Sequence, residues 1–232
     1  MASWQKRVEG HAATWFLRRL MARLERASDE EVERLGRKWA RRLVPLSKRR
    51  LSVALENLAR AFPDSTPEWR EQTARASVEH FAIVFADFLG SRRWSLEYLE
   101  STNEIHNLQA VDEALALGKG MLLPTGHFGH FERGSAYLAF KGYPISVVIR
   151  DADDEGVNAI VNGLRQRPGT KIIPRGNAAR PIIEALRRNE IVGILSDQNH
   201  DDAYLPFFGV PAGTNLGMGV IQERTGAPAV AT

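Results

Sequence analysis

Met121-Leu122-Leu123-Pro124-Thr125-Gly126-His127-Phe128-Gly129-His130-Phe131-Glu132 reads as a strand, a tight loop and a helix start. The apolar run predicts a buried strand, the glycines a turn, and Arg133 to Phe140 a helix. The rhythm repeats around this stretch. Strands are predicted near 121–124, 145–149, 171–174 and 191–195, with helices near 108–117, 131–140, 154–166, 178–188 and 215–224. Alternation of this kind predicts an α/β fold, a mainly parallel central sheet flanked by helices. Its strand-end loops gather on one edge, where α/β proteins place ligands.

Upstream of the sheet the chain reads as helical. Residues 11–27 place Ala13, Leu17, Leu20, Met21 and Leu24 on one face, with Trp15 and Phe16 beside it and Arg18, Arg19, Arg23 and Arg26 flanking. Such a stripe suits either the membrane interface or packing on the domain. Helix continues over 29–62, interrupted at Pro45. Thr66 and Pro67 then begin a helix to about Leu89, with Val78, Phe81, Ala82, Phe85 and Leu89 as its expected buried stripe. His80, close to that stripe, reads as structural. The organisation expected is a basic, amphipathic, membrane-facing segment at 1–62 and an α/β domain at 63–232. Ala229 to Thr232 read as the start of another strand, so that domain is expected to lack a C-terminal portion.

Charge is distributed unevenly. Residues 1–50 carry 14 Lys and Arg against six Asp and Glu, and the other 182 carry 17 against 22. A basic arm on an acidic body points to an anionic partner, a membrane surface. Nucleic acid is not expected, because no DNA- or RNA-binding signature accompanies the basic residues. The absence of cysteine removes disulfide and thiolate chemistry. No run of 18 apolar residues exists to span a membrane.

Four loops should meet at the sheet edge: His127 to Glu132, Arg150 to Asp153, Pro174-Arg175-Gly176, and Asp197 to His200. They bring imidazoles, arginines and an acid–amide pair together. That set suits acyl transfer, in which a base takes a hydroxyl proton and cationic or N–H donors hold the developing oxyanion. His127, at the strand end, is the expected base, with Glu132 fixing its tautomer. His130 reads as either a helix-start residue or a substrate contact. Two further readings stand beside this one. A metal site would draw on His127, His130, Glu132, Asp197 and His200, although the i, i+3 spacing is not that of the two-histidine zinc helix. A non-catalytic membrane-binding module would use the basic arm alone. No nucleophile elbow, P-loop or dinucleotide-binding glycine motif is present.

His127-x4-Glu132 resembles the His-x4-Asp/Glu motif of glycerolipid acyltransferases. Asn57-Leu58-Ala59-Arg60-Ala61-Phe62-Pro63, Ile149-Arg150, Ile173-Pro174-Arg175-Gly176, Asp197-Gln198-Asn199 and Pro206-Phe207-Phe208-Gly209-Val210-Pro211 follow in the order of the bacterial lipid A biosynthesis acyltransferases, which the chain resembles over about 30–232. The resemblance implies His127 as general base, Glu132 as its orienting carboxylate and Arg150 at donor phosphate or oxyanion. It implies Asp197 and Gln198 as a second loop shaping the site, and Arg175-Gly176 as a substrate-side turn. It further implies an acyl carrier protein or coenzyme A thioester as co-substrate, no other cofactor and no metal. The resemblance implies a glycolipid acceptor and the cytoplasmic face of the inner membrane as the place of work. Family members often carry Asn-Trp at His130-Phe131. Two phenylalanines between prolines at 206–211 suggest a stiff wall, bordering an acyl tunnel or plugging the core, and Thr214 reads as a cap for the following helix.

Overall fold

A computed structural model describes residues 14–232 of the chain. The expected Ala13 contribution to the first amphipathic face lies outside them. Helix α1 covers 14–24 of the described residues. Ser28 caps α2 (Asp29–Leu43) through a reciprocal pair of hydrogen bonds with Glu31. A single 3-10 turn holding Pro45 separates it from α3 (Lys48–Ala61). Thr66 accepts from the Trp69 amide and Pro67 opens α4 (Pro67–Leu89), as the sequence predicts.

The stripe of α1 is used in the domain: Met21 and Leu24 are buried, and Leu17 and Leu20 pack against the same core. Trp15 and Phe16 remain exposed. Of the two alternatives for this stripe, the described structure therefore takes packing on the domain. Gly36 lets α2 approach α4 closely, since a Cβ there would lie 2.6 Å from the Ile83 Cα. The expected stripe of α4 is corrected. Ala82 and Leu89 are buried, but Phe81 and Phe85 are exposed, and Phe88 and Asp87 point inward instead. The helix is apolar on more than one face, and periodicity alone does not say which face meets the sheet.

After α5 (Leu96–Thr102) and α6 (Gln109–Ala116) the alternation begins. Strands β1 (Met121–Thr125), β2 (Ile145–Ile149), β3 (Lys171–Pro174) and β4 (Ile191–Leu195) form a parallel sheet in the order β1-β4-β2-β3. Helices α7 (Phe131–Phe140), α8 (Glu155–Gln166) and α9 (Ala179–Arg187) link them. The sheet has two covered faces, which accounts for its continuous apolar strands. Met121, Leu123, Ile145, Val147 and Ile191 face a core shared with α1, α2, α4, α7 and α8. Leu122, Ile173 and Val192 face a second core under α9 and α10 (Gly217–Thr225). Residues 228–232 run along the outer edge of β1, with Val230 N–H donating to Leu122 O at 3.0 Å.

Residues 203–214 form an antiparallel hairpin, β5 (Ala203–Phe207) and β6 (Val210–Thr214). Phe208 and Gly209 turn it, both at positive φ. The Pro206–Pro211 wall is thus an exposed hairpin tip, and it does not line the cavity described below. Thr214 ends β6 and caps nothing. The first amides of α10 are held by Asp202 and Asn215.

Candidate active site

Because β4 lies directly beside β1, the loops that follow them meet. The Asp197 carboxylate, seventy positions from His127, binds it twice. The His127 backbone N–H donates to Oδ2 at 2.6 Å, and ring Nδ1–H donates to Oδ1 at 2.8 Å. Nδ1 thereby carries the proton, and Nε2 keeps its lone pair. Gly126 makes the approach possible, since a Cβ there would stand 3.1 Å from Asp197 Oδ2. Burial pushes the Asp197 carboxyl upward, but the hydrogen bonds from the His127 ring and backbone outweigh it. The carboxyl is held below its usual range. Phe131 packs edge-on against the His127 ring at 5.2 Å.

The expected contact between Glu132 and His127 is corrected. Glu132 sits in the first turn of α7, buried, with its carboxylate turned to Arg165 of α8. Arg165 Nε donates to both oxygens at 3.1 Å and Nη2 to Oε1 at 2.5 Å. A two-pronged guanidinium–carboxylate pair ties the Glu132 oxygens to α8. Arg165 escaped the sequence reading because it lies inside an amphipathic helix, where an arginine looks like part of a solvated face.

His130 occupies the start of α7. Its Nε2 lies 2.9 Å from Asp87 Oδ2, at a poor hydrogen-bond angle, and its ring packs edge-on to Trp94. Asp87 is buried on α4 among His130, Arg133 and Arg93, with Arg133 Nε donating at 2.8 Å. Burial raises its pKa, yet His130 and the two guanidinium groups hold it down at about 2. His80 Nε2 reaches the Gly129 carbonyl at 3.2 Å. With Gly129 at φ +55°, that contact fixes the loop from behind, a structural role.

These groups surround one cavity of about 1170 Å³. His127, His130, Glu132, Arg150, Arg165, Arg175, Gly176 and Gln198 all line it, and Asp197 joins through His127. Arg150 is exposed at the mouth, 4.0 Å from Asp153, and Arg175-Gly176 form a 3-10 turn after β3. Deeper, the walls are apolar: Leu108 and Val111 before the sheet, Leu123 and Val147 on it, Leu138 on α7. A cationic mouth over an apolar interior fits a molecule with an anionic or polar head and a hydrocarbon chain. Among the described residues, no three His, Asp or Glu converge in a way that would hold a metal ion. His200 pairs with Asp202.

Residues 2–232 match the profile of the family described as bacterial lipid A biosynthesis acyltransferase, and the chain belongs to that family. It is 24% identical over 187 residues to the lipid A biosynthesis acyltransferase of Haemophilus influenzae, covering 78% of this chain and 58% of that protein. Identity is also 24% with the lipid A biosynthesis palmitoleoyltransferase of Escherichia coli K12, over 79% of this chain and 60% of the relative. A phosphatidylinositol mannoside acyltransferase of Mycobacterium tuberculosis is 25% identical over 134 residues, 55% of this chain and 42% of that protein. The chain thus spans at most 60% of the length of these curated relatives.

Proposed function

We propose that the protein transfers a fatty acyl group from an acyl carrier protein or coenzyme A thioester to a hydroxyl of a glycolipid such as a lipid A precursor. The observation that carries this reading is the His127–Asp197 pair at the mouth of a cavity that is cationic outside and apolar within. His127 Nε2 takes the proton of the acceptor hydroxyl as its oxygen attacks the thioester carbonyl. Collapse of the tetrahedral oxyanion expels the thiolate, which recovers the proton from His127. Asp197 holds the ring and balances the imidazolium charge. Arg165, fixed by Glu132, turns guanidinium N–H donors to the cavity wall as part of a neutral ion pair. Arg150, Arg175 and Gln198 serve the phosphate and head-group side, and His130 is a wall residue held by Asp87. The co-substrate thioester is the only cofactor required.

The place of work is the cytoplasmic face of the inner membrane, with peripheral attachment. Among the described residues no helix is long and apolar enough to cross a membrane. Attachment is supported by Trp15 and Phe16 on α1 and by a cluster of exposed aromatics. In that cluster Phe62 packs on Trp69 at 5.3 Å and on Phe208 at 5.4 Å, and Phe207 on Phe208 at 4.7 Å. A second acceptor, a phosphatidylinositol mannoside, is supported by the mycobacterial relative. Mass spectrometry of lipids formed from an acyl thioester and each acceptor separates the two. Transfer undiminished in His127→Ala would overturn the reading.

A further inference from the structure

Glycine weakens both helix and strand interiors, so its presence there calls for a reason. Gly36, inside α2, has one: a Cβ there would stand under 3 Å from backbone atoms of α4. Gly134 and Gly193 have no such reason. A Cβ at Gly134 meets nothing within 4 Å, and one at Gly193 meets only Val147 Cγ1 at 3.4 Å and Ser146 O at 3.9 Å. Neither has a positive φ.

Both line the cavity. Gly193 is the middle residue of β4, in register with Leu123 of β1 and Val147 of β2, so it belongs to the same sheet face. Gly134 lies one turn beyond Phe131 and one turn before Leu138 on α7, and those two residues also line the cavity. Helix α7 covers this face of the sheet, where Tyr137 and Leu138 share a core with Leu123 and Val147. Gly193 is buried in the sheet and Gly134 is exposed, so floor and wall both lack a side chain where they border the cavity. The cavity continues down the sheet as far as Ile145, four residues back from Ile149, a depth of roughly 13 Å at strand rise.

We propose that Gly134 and Gly193 are specificity-determining positions that set the length of the acyl chain transferred, by leaving open the apolar passage between α7 and the sheet. The proposal rests on the acyltransferase reading. Gly134→Leu fills the passage from the wall and Gly193→Val from the floor. Gly134→Ala is a smaller step in the same direction. Gly163→Leu on α8 is the control, because a Cβ there is equally unopposed but the residue is outside the cavity lining.

Two measurements on the intact protein test it. The first is competition of linear fatty acids and acyl thioesters of roughly eight to eighteen carbons against a fluorescent fatty acid, which needs no turnover. The second is kcat/KM across the same donor series at fixed acceptor, then across acceptors of different chain length at fixed donor. In Gly134→Leu and Gly193→Val the longest accepted donor should shorten, with a loss of roughly tenfold or more per excluded methylene. Shorter donors should be retained, and Gly163→Leu should match wild type. An unchanged length profile in folded variants, or a change that follows acceptor length instead, overturns the proposal while leaving acyl transfer intact. A shifted binding profile with no transfer from any thioester by the wild type upholds the passage and overturns the acyltransferase reading.

Discussion

Replacing Asp197 by Asn tests the proposed base, His127, separately from the rest of the fold. Asn is isosteric, and its amide oxygen can still accept the His127 backbone N–H that Asp197 Oδ2 accepts at 2.6 Å, so the loop should stay in place. The ring contact changes character. At 2.8 Å from Nδ1, a carboxylate accepts the ring proton and leaves Nε2 free. An amide NH₂ in that position donates to Nδ1 and drives the proton to Nε2, the atom that acts as base in the proposed mechanism. It also removes the negative charge that stabilises the imidazolium. General-base catalysis is worth about 10²- to 10⁴-fold, roughly 3–5 kcal/mol, and most of it should go. Stability should hardly move, since the Asp197 side chain is 43% exposed and the fold does not close over it. The assay is transfer of a radiolabelled acyl group from its thioester, with thermal unfolding run on the same samples. A variant within about fivefold of wild type would show that the Asp197 carboxylate does not set the His127 tautomer. A large loss accompanied by a collapse of Tm would show that Asp197 is a fold residue.

Glu132→Ala should behave differently, because it removes a buried carboxylate and leaves the half-buried Arg165 guanidinium without its partner. A loss of about 3–5 kcal/mol is expected, or roughly 6–20 °C in Tm, and calorimetry checks it. Gly36→Ala forces a methyl to within 2.6 Å of the Ile83 backbone and should cost about 1–3 kcal/mol, read as a lower urea midpoint at unchanged slope. Asp87 has a folded pKa of about 2 against an ordinary 3.8, so its contribution is complete above pH 3.8 and is lost as pH falls through 2. Asp87→Asn should therefore unfold with a shallower pH dependence than wild type in that acid window, as followed by circular dichroism.

What the sequence made legible was local. The four strands of the parallel sheet stand within a residue of where apolar runs and turn residues predict them, because buried parallel strands announce themselves as continuous Val, Ile and Leu. The hairpin at 203–214 was hidden by its own chemistry. Pro206 and Pro211 face each other across it, Phe208 takes a positive φ, and both strands are largely exposed, so alternation and turn signals both failed. Asp87 gave no signal either. A single carboxylate in the run Phe85-Ala86-Asp87-Phe88-Leu89 is explained only by His130, Arg93 and Arg133, which arrive from elsewhere in the chain.

The site shows the same division. Strand-end position singled out His127, and the four loops do surround one cavity, because parallel connections put all strand ends on one edge. Which carboxylate faces the ring is a different kind of question. Glu132 is near in sequence, but it enters a helix whose first turn carries it toward α8, where Arg165 holds it. Asp197 is far in sequence, but β4 is inserted between β1 and β2, and that insertion places the end of β4 against the end of β1. Strand order is decided by the packing of whole strands, not by the spacing of any motif. A spacing such as His-x4-Glu therefore identifies a loop at the cavity without identifying which carboxylate meets the ring. In this chain the carboxylate that meets His127 follows the neighbouring strand.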